Sequence, residues 1–267
     1  MEFLARICFV PGIPGFMLRY EVFVVRFFGI LLIIPGILVA QSYPGWFLRQ
    51  EGMKCRTTAV GYAVPSFYRD SSIAQATRNA AENVGRQTAT HVRGGQMFWA
   101  TEGGTYWMGA DFREQYDTTA SKSALSSLIP VDAFVTSSIA LVLLADSGCQ
   151  VDRRLLGRLT VDGEAPEWTE TPPHDARYTY AVGVAPEYYY EVSSWLEAER
   201  LARRNLARSV ITEIKSLQKL SAREGQELRS EEISVSLHHI EAVARWRDLV
   251  KKIFYVLLRA PKEENMR

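Results

Sequence analysis

Apolar residues recur at helical spacing in two long segments of the chain. The stronger stripe consists of Ala198, Leu201, Ala202, Leu206, Val210, Ile214 and Leu217. The second stripe consists of Ile73, Ala76, Ala80, Val84 and Val92. A spacing of three to four residues places these side chains on one helix face, so the pattern predicts two amphipathic helices. The small residues in both stripes predict that each helix lies close against a sheet.

Both predicted helices begin with the same polar spacing. Ser72 is followed three residues later by Gln75, and Ser194 by Glu197. This spacing fits a capping box, in which the serine oxygen accepts a free backbone N–H and the Gln or Glu reaches back. The pattern therefore predicts that the helices start at the two serines.

Short segments of alternating or continuous apolar residues flank the helices and predict strands. Alternating segments precede the helices at 57–63 and 179–185. Aliphatic segments follow the helices at 139–144 and 253–258, and further candidate strands precede these at 131–136 and 240–246. Loops rich in aromatic residues, 65–68 and 186–190, join each first strand to its helix.

The elements occur twice because residues 44–92 match residues 166–214 without a gap, 122 positions later. Matched pairs include Trp46/Trp168, Gly61/Gly183, Ala76/Ala198, Arg78/Arg200, Ala80/Ala202, Asn83/Asn205 and Arg86/Arg208. A shared offset over this length indicates internal duplication. The sequence therefore predicts an α+β fold of two tandem repeats, 41–150 and 151–267. Each repeat is expected to be a long helix packed on a small, mostly antiparallel sheet.

The repeats differ between the helix and the final strands. The segments 96–101 and 105–108 flank Gly103-Gly104 and predict a hairpin inserted in the first repeat. Its aromatic residues are Phe98, Trp99, Tyr106 and Trp107, which we predict to form a partner-binding surface because contiguous exposed aromatic side chains usually mark interfaces. The alternative is that the hairpin extends the sheet and buries one face. In the second repeat, the segment 216–232 is polar and predicts a further helical stretch.

The N-terminal residues 1–40 have the pattern of a secretory signal. Basic residues Arg19 and Arg26 precede an apolar run of 14 residues at 27–40, and polar Gln41 and Ser42 follow it. The run is shorter than the roughly 20 residues that span a bilayer, which favours a cleaved signal. An uncleaved membrane anchor is the alternative. Both interpretations predict an exported protein.

Charge and motifs restrict the function classes. The net charge is +1, and neither half has an excess of basic residues, so the composition argues against nucleic-acid binding. The chain contains neither a phosphate-binding glycine loop nor a nucleophile-elbow motif, and we predict no catalytic residue and no cofactor. His238-His239 is a histidine pair without other metal ligands at a suitable spacing, so no metal site is predicted either.

Two cysteines remain after the N-terminal segment. Cys55 precedes the first predicted strand, and Cys149 follows the last predicted strand of the first repeat. An exported protein encounters an oxidising compartment, which permits a disulfide between them. Two unpaired buried thiols are the alternative.

The order of these motifs resembles a known family. Pro-x-Trp, a strand ending in Gly-x-Ala, a long helix with alanines at fixed intervals and a final aliphatic strand are similar to the Lpp-twenty lipoprotein family. They are also similar to the N-terminal domain of flagellar assembly protein T. The resemblance covers 166–260 well, with 180–185, 193–212 and 253–259 as the clearest segments, and 44–146 less tightly. The chain lacks the lipid-bearing cysteine and has two copies.

The resemblance implies a setting in the bacterial cell envelope, periplasmic or associated with the outer membrane. Members of the family are not known as enzymes, and some support the flagellar basal body. We therefore expect a non-enzymatic structural or partner-binding protein whose partners are other envelope proteins. Membrane contact is expected only through an uncleaved N-terminal segment. The alternative is a periplasmic enzyme with its site between the two repeats.

Overall fold

A computed structural model describes residues 41–50, 52–101, 104–161, 163–221 and 231–265. The predicted signal or anchor at 1–40 lies outside these residues. The strands in the described ranges are β1 Ser42–Pro44, β2 Met53–Lys54, β3 Thr58–Ala63, β4 Ala89–Thr101, β5 Gly104–Tyr116, β6 Ile129–Val135, β7 Ala140–Ala145, β8 Gln150–Val151, β9 Arg158–Thr160, β10 Tyr178–Pro186, β11 Glu231–His238, β12 Glu241–Asp248 and β13 Ile253–Pro261. The helices are α1 Gly45–Leu48, α2 Arg69–Thr88, α3 Thr118–Ser127, α4 Arg153–Leu156, α5 Glu191–Ser221 and α6 Lys262–Asn265, with a 3-10 turn at Glu167–Thr169.

The fold mixes helices with several small antiparallel sheets, which confirms the α+β class. The long helix α2 packs on the sheet β3–β7–β6, and the long helix α5 packs on the sheet β10–β13–β12. In both sheets the last strand in sequence, β7 or β13, lies at the centre. The strand before the long helix, β3 or β10, forms one edge, and β6 or β12 forms the other edge.

Glycines in β3 and β10 permit the close approach of the two helices. A Cβ atom at Gly61 would lie 2.0 Å from the Ala76 carbonyl oxygen, and one at Gly183 would lie 1.9 Å from that of Ala198. These distances are far below van der Waals contact. The helix backbone therefore rests directly on the glycine, as the small residues of the apolar stripes predict.

The predicted helix starts at Ser72 and Ser194 were wrong. Helix α2 begins at Arg69 and α5 at Glu191, so both serines lie inside the first turns. The Ser72 hydroxyl accepts a hydrogen bond from the backbone N–H of Ser66 in the preceding loop. The serines bind the loops rather than cap the helices.

A third sheet, in the order β11–β4–β5, joins the two predicted repeats. In the hairpin formed by β4 and β5, the pairing runs from Thr90 opposite Tyr116 to Thr101 opposite Gly104. The hairpin is therefore longer than the predicted segments 96–101 and 105–108.

Strand β11 was not predicted from the sequence. Only its first two residues, Glu231 and Glu232, fall in the predicted helical stretch 216–232, and for these two the prediction was wrong. Residues Ile233, Val235 and Leu237 of β11 alternate with serines, which is the two-residue period of a strand with one buried face.

Residues on both sides of position 150 share one core. The largest cluster of buried side chains includes Tyr43, Phe47 and Tyr62 together with Trp195 and Phe254. The pairing of β1 with β9 and of β4 with β11 also crosses this position. The described residues between Gln41 and Asn265 accordingly form a single compact unit.

A disulfide between Cys55 and Cys149 joins β2 to β8, with Cα atoms 4.2 Å apart. The adjoining turn is held by Asp146, whose carboxylate accepts hydrogen bonds from the backbone N–H groups of Arg56 and Thr57. The disulfide joins two residues that are 94 positions apart in the sequence. Within the described ranges, no helix has the length and apolar character needed to cross a membrane.

Candidate functional site

Two strand-to-helix loops expose aromatic rings at one end of the molecule. One loop connects β3 to α2 and holds Phe67 and Tyr68; the other connects β10 to α5 and holds Tyr188, Tyr189 and Tyr190. We call these five residues the aromatic end. Their exposed fractions are 95% for Phe67, 72% for Tyr68, 43% for Tyr188, 93% for Tyr189 and 51% for Tyr190. Among the side chains that the structure describes, no other aromatic residue is exposed.

Hydrogen bonds from the loops to the helices keep these rings in solvent. The backbone N–H of Ser66 donates to the Ser72 hydroxyl at 2.8 Å, and that of Tyr188 donates to the Ser194 hydroxyl at 2.7 Å. Each loop is thereby closed onto the first helical turn. Within each loop two rings pack edge to face, with centroids 5.2 Å apart for Phe67–Tyr68 and 4.9 Å apart for Tyr189–Tyr190.

The loops border a common groove of about 710 Å³. Its lining includes Val64 and Pro65 of the first loop, the three tyrosines of the second loop, and Ser137 and Ser138 of the β6–β7 turn. Gln41, Glu187, Glu191 and Arg247 complete the lining. A neighbouring groove of about 580 Å³ shares Pro65 and Ser137 and extends the surface past Phe67 to Arg69 and Arg158.

The polar lining of the groove is tied to the core. Glu191, the first residue of α5, accepts hydrogen bonds from the Tyr43 hydroxyl at 2.6 Å, the Gln41 amide at 2.7 Å and the Trp195 indole at 3.2 Å. Arg247 ion-pairs with Glu187 and lies 3.8 Å from Glu191. Burial, together with the nearby Glu191 charge, raises the pKa of Tyr43, so its phenol stays protonated and donates. These contacts hold the polar side chains of the groove against their neighbours.

A second polar network connects the two predicted repeats beneath the groove. The Tyr62 hydroxyl donates to Glu199 at 2.8 Å and accepts from Arg245 at 2.8 Å. Arg203 binds Glu199 at 3.4 Å and Glu114 of β5 at 3.0 Å. Burial raises the pKa of Tyr62 despite the opposing charge of Arg245, so the phenol stays neutral. This network fixes α5 against β3, β5 and β12.

A separate cleft of about 450 Å³ lies between the two halves, where the enzyme alternative would place its site. Its lining includes the bonded Cys55, together with Arg56, His239, Glu241 and Arg259. Arg259 pairs with Glu241 at 2.6 Å. Burial lowers the pKa of Arg259, but its hydrogen bonds to Glu241 and Tyr180 outweigh this and raise the pKa overall. The acid–base groups of the described lining are therefore one carboxylate, already paired with a cation, and the imidazole of His239.

The four residues predicted as a partner surface lie in the outer part of the β4–β5 hairpin. Phe98 pairs in register with Trp107, and Trp99 with Tyr106. These pairs lie beyond the positions of β4 that pair with β11, so a two-stranded ribbon carries them. Their side chains lie outside the described part of the structure, and their role stays a prediction. Among the described residues, no group of three or more His, Cys, Asp or Glu is arranged to hold a metal ion.

The aromatic end was not predicted as a site from the sequence. The signal was present, because both repeats place an aromatic run between the first strand and the long helix. A run of three tyrosines after a strand is compatible with either a buried or an exposed loop. Only the three-dimensional fold brings the two loops to one groove.

No protein-family model matches the chain, and neither the curated proteins nor the solved structures give a match.

Proposed function

We propose that this protein is a non-enzymatic, partner-binding component of the bacterial cell envelope and that the aromatic end is its binding surface. The observation that carries the proposal is the exposure of five aromatic side chains from two loops that border one groove. Soluble proteins rarely leave such rings together in water, and aromatic residues are enriched at interface centres.

We propose further that the two halves are tandem copies, each a long helix on a three-stranded sheet. Matched contacts support this: the Asn83 amide donates to the Val60 carbonyl and the Asn205 amide to the Val182 carbonyl, both at 2.8 Å. Gly61 and Gly183 receive the helices in the same way. Duplication explains why aromatic loops occur at corresponding places in the two halves.

The envelope setting and export remain proposals that rest on the N-terminal pattern and on the family resemblance. The disulfide between Cys55 and Cys149 suits an oxidising compartment. The aromatic ribbon with Phe98, Trp99, Tyr106 and Trp107 is proposed as a second contact on the same partner-binding protein.

Binding of the full chain to isolated envelopes tests the aromatic end. The double variant Phe67→Ser/Tyr189→Ser removes the two most exposed rings and should weaken binding at least about tenfold, because such aromatic contacts dominate interface affinity. Leu125→Ser is the matched control, since Leu125 is an exposed apolar residue outside both grooves. All variants keep residues 1–40, so this segment contributes equally to the envelope binding of each variant. Equal binding of the double variant and the control would contradict the proposal.

A further inference from the structure

We infer that the aromatic end is seated on the surface of a lipid bilayer. This rests on the proposed function, since it names the class of partner that the binding surface meets. Three features of the described residues and of the sequence support it.

The first feature is the kind of side chain and its shape. Phe67 and Tyr189, at 95% and 93% exposure, protrude from the tips of their loops. The bilayer–water interface favours tyrosine, because its ring enters the headgroup layer while its hydroxyl stays hydrated. Phenylalanine lacks the hydroxyl and contributes apolar surface that the acyl boundary receives. A ring that protrudes from its loop can be surrounded by lipid without any movement of the protein.

The second feature is a further apolar residue beside the loops. Val250, in the turn between β12 and β13, is 85% exposed. The backbone N–H of Glu187 donates to the Lys252 carbonyl at 2.9 Å, which fixes this turn next to the tyrosine loop. Val250 thus extends the apolar tip of the second half.

The third feature is the position where the apolar N-terminal run joins the described chain. Residues 27–40 contain no charged side chain and end at Ala40. The next residue, Gln41, lines the groove between the aromatic loops. The attachment point of the apolar run therefore lies at the aromatic end, and this feature supports the inference for a chain that keeps the run as an uncleaved anchor.

Charge contributes little to this contact. Lys251 and Lys252 are exposed, as is Arg69 next to Tyr68. However, Asp248 pairs with Lys251 at 3.9 Å and Glu187 with Lys252 at 3.4 Å, so the local charge is nearly balanced. We therefore expect the rings to carry the contact and its dependence on salt to be weak.

Site-specific photocrosslinking of the full chain in its native envelope tests the inference. A benzophenone amino acid replaces Phe67 or Tyr189, with the same substitution at Leu125 as the control; all three positions are exposed, so folding is preserved. The inference predicts that positions 67 and 189 give lipid adducts severalfold above position 125, identified by mass spectrometry. Protein adducts in their place would overturn the lipid assignment and sustain the proposed function. Adducts no more frequent than at position 125 would overturn both.

Discussion

Single buried side chains hold the two halves together. The Arg245 side chain is 2% exposed, and it lies over the rings of Phe47 and Tyr62. Its guanidinium donates to the Tyr62 hydroxyl and to the Phe47 carbonyl, and it lies 3.8 Å from Glu199. A buried charge is stable only while its partners satisfy it, so this site tolerates little change.

We predict that Arg245→Met lowers the free energy of unfolding by about 3 kcal/mol, because it removes a cation from the buried Glu199 carboxylate. Tyr62→Phe keeps both charges and should cost only about 1–2 kcal/mol, the effect of lost hydrogen bonds. Urea denaturation followed by circular dichroism measures both values. If Arg245→Met lowered the free energy of unfolding less than Tyr62→Phe does, the ion pair between Arg245 and Glu199 would not hold the halves together.

Asp146 makes stability depend on pH. The hydrogen bond from the Thr57 N–H is the main cause that lowers the pKa of Asp146, and the Arg56 N–H acts in the same direction. A carboxylate with a lowered pKa in the folded state stabilises the fold above its unfolded pKa, and this contribution is lost as pH falls through the folded value. We therefore predict that Asp146→Asn narrows the difference in urea midpoint between neutral pH and about pH 3. An unchanged difference would contradict this role.

Among the elements, the contact between each long helix and its sheet was the feature best predicted from the sequence. The apolar stripes and the matched glycines and alanines indicated the two helices and the strands beneath them. The helix starts were misplaced because Ser72 and Ser194 bind the loop backbone, a tertiary contact that a local capping pattern does not reveal. Strand β11 was missed because its partner β4 lies in the other half of the chain, and such pairing leaves no local signal.

The close approach of strand and helix gives a prediction at this scale. Gly61→Ala places a Cβ atom against the backbone of α2 and should destabilise the fold by about 3 kcal/mol. Gly148→Ala is the control, since its nearest neighbour would be the Asp146 carboxylate at 3.5 Å, an ordinary contact. Thermal unfolding measures both. Equal melting temperatures for Gly61→Ala and the control would mean that helix and strand are not packed as described.

The described residues between Gln41 and Asn265 form one compact unit, in which a disulfide closes much of the first half. We predict that reduction of Cys55–Cys149 lowers the free energy of unfolding by about 3–5 kcal/mol, because the unfolded chain regains the entropy of an open loop. Denaturation with and without reductant measures the effect. The variant Cys55→Ser/Cys149→Ser should be insensitive to reductant, and equal sensitivity of the two proteins would contradict the assignment.

The scaffold of the candidate site could be predicted from the sequence, but its location could not. Two aromatic loops were visible as sequence segments, whereas their shared groove depends on how the halves share the core formed by Tyr43, Phe47 and Trp195. The sequence pattern favoured the aromatic hairpin as the binding surface because the hairpin is present in the first repeat only. The described structure instead exposes rings where the repeats agree.

Hydroxyl-radical footprinting tests most directly whether the aromatic end is a binding surface, because it reports the exposure of individual rings. In the purified protein, Phe67 and Tyr189 should be oxidised readily, in keeping with their exposure. In the intact envelope, both should be protected severalfold while oxidation of Leu125 is unchanged. Equal oxidation of Phe67 and Tyr189 in the two preparations would show that nothing covers the aromatic end and would contradict the account.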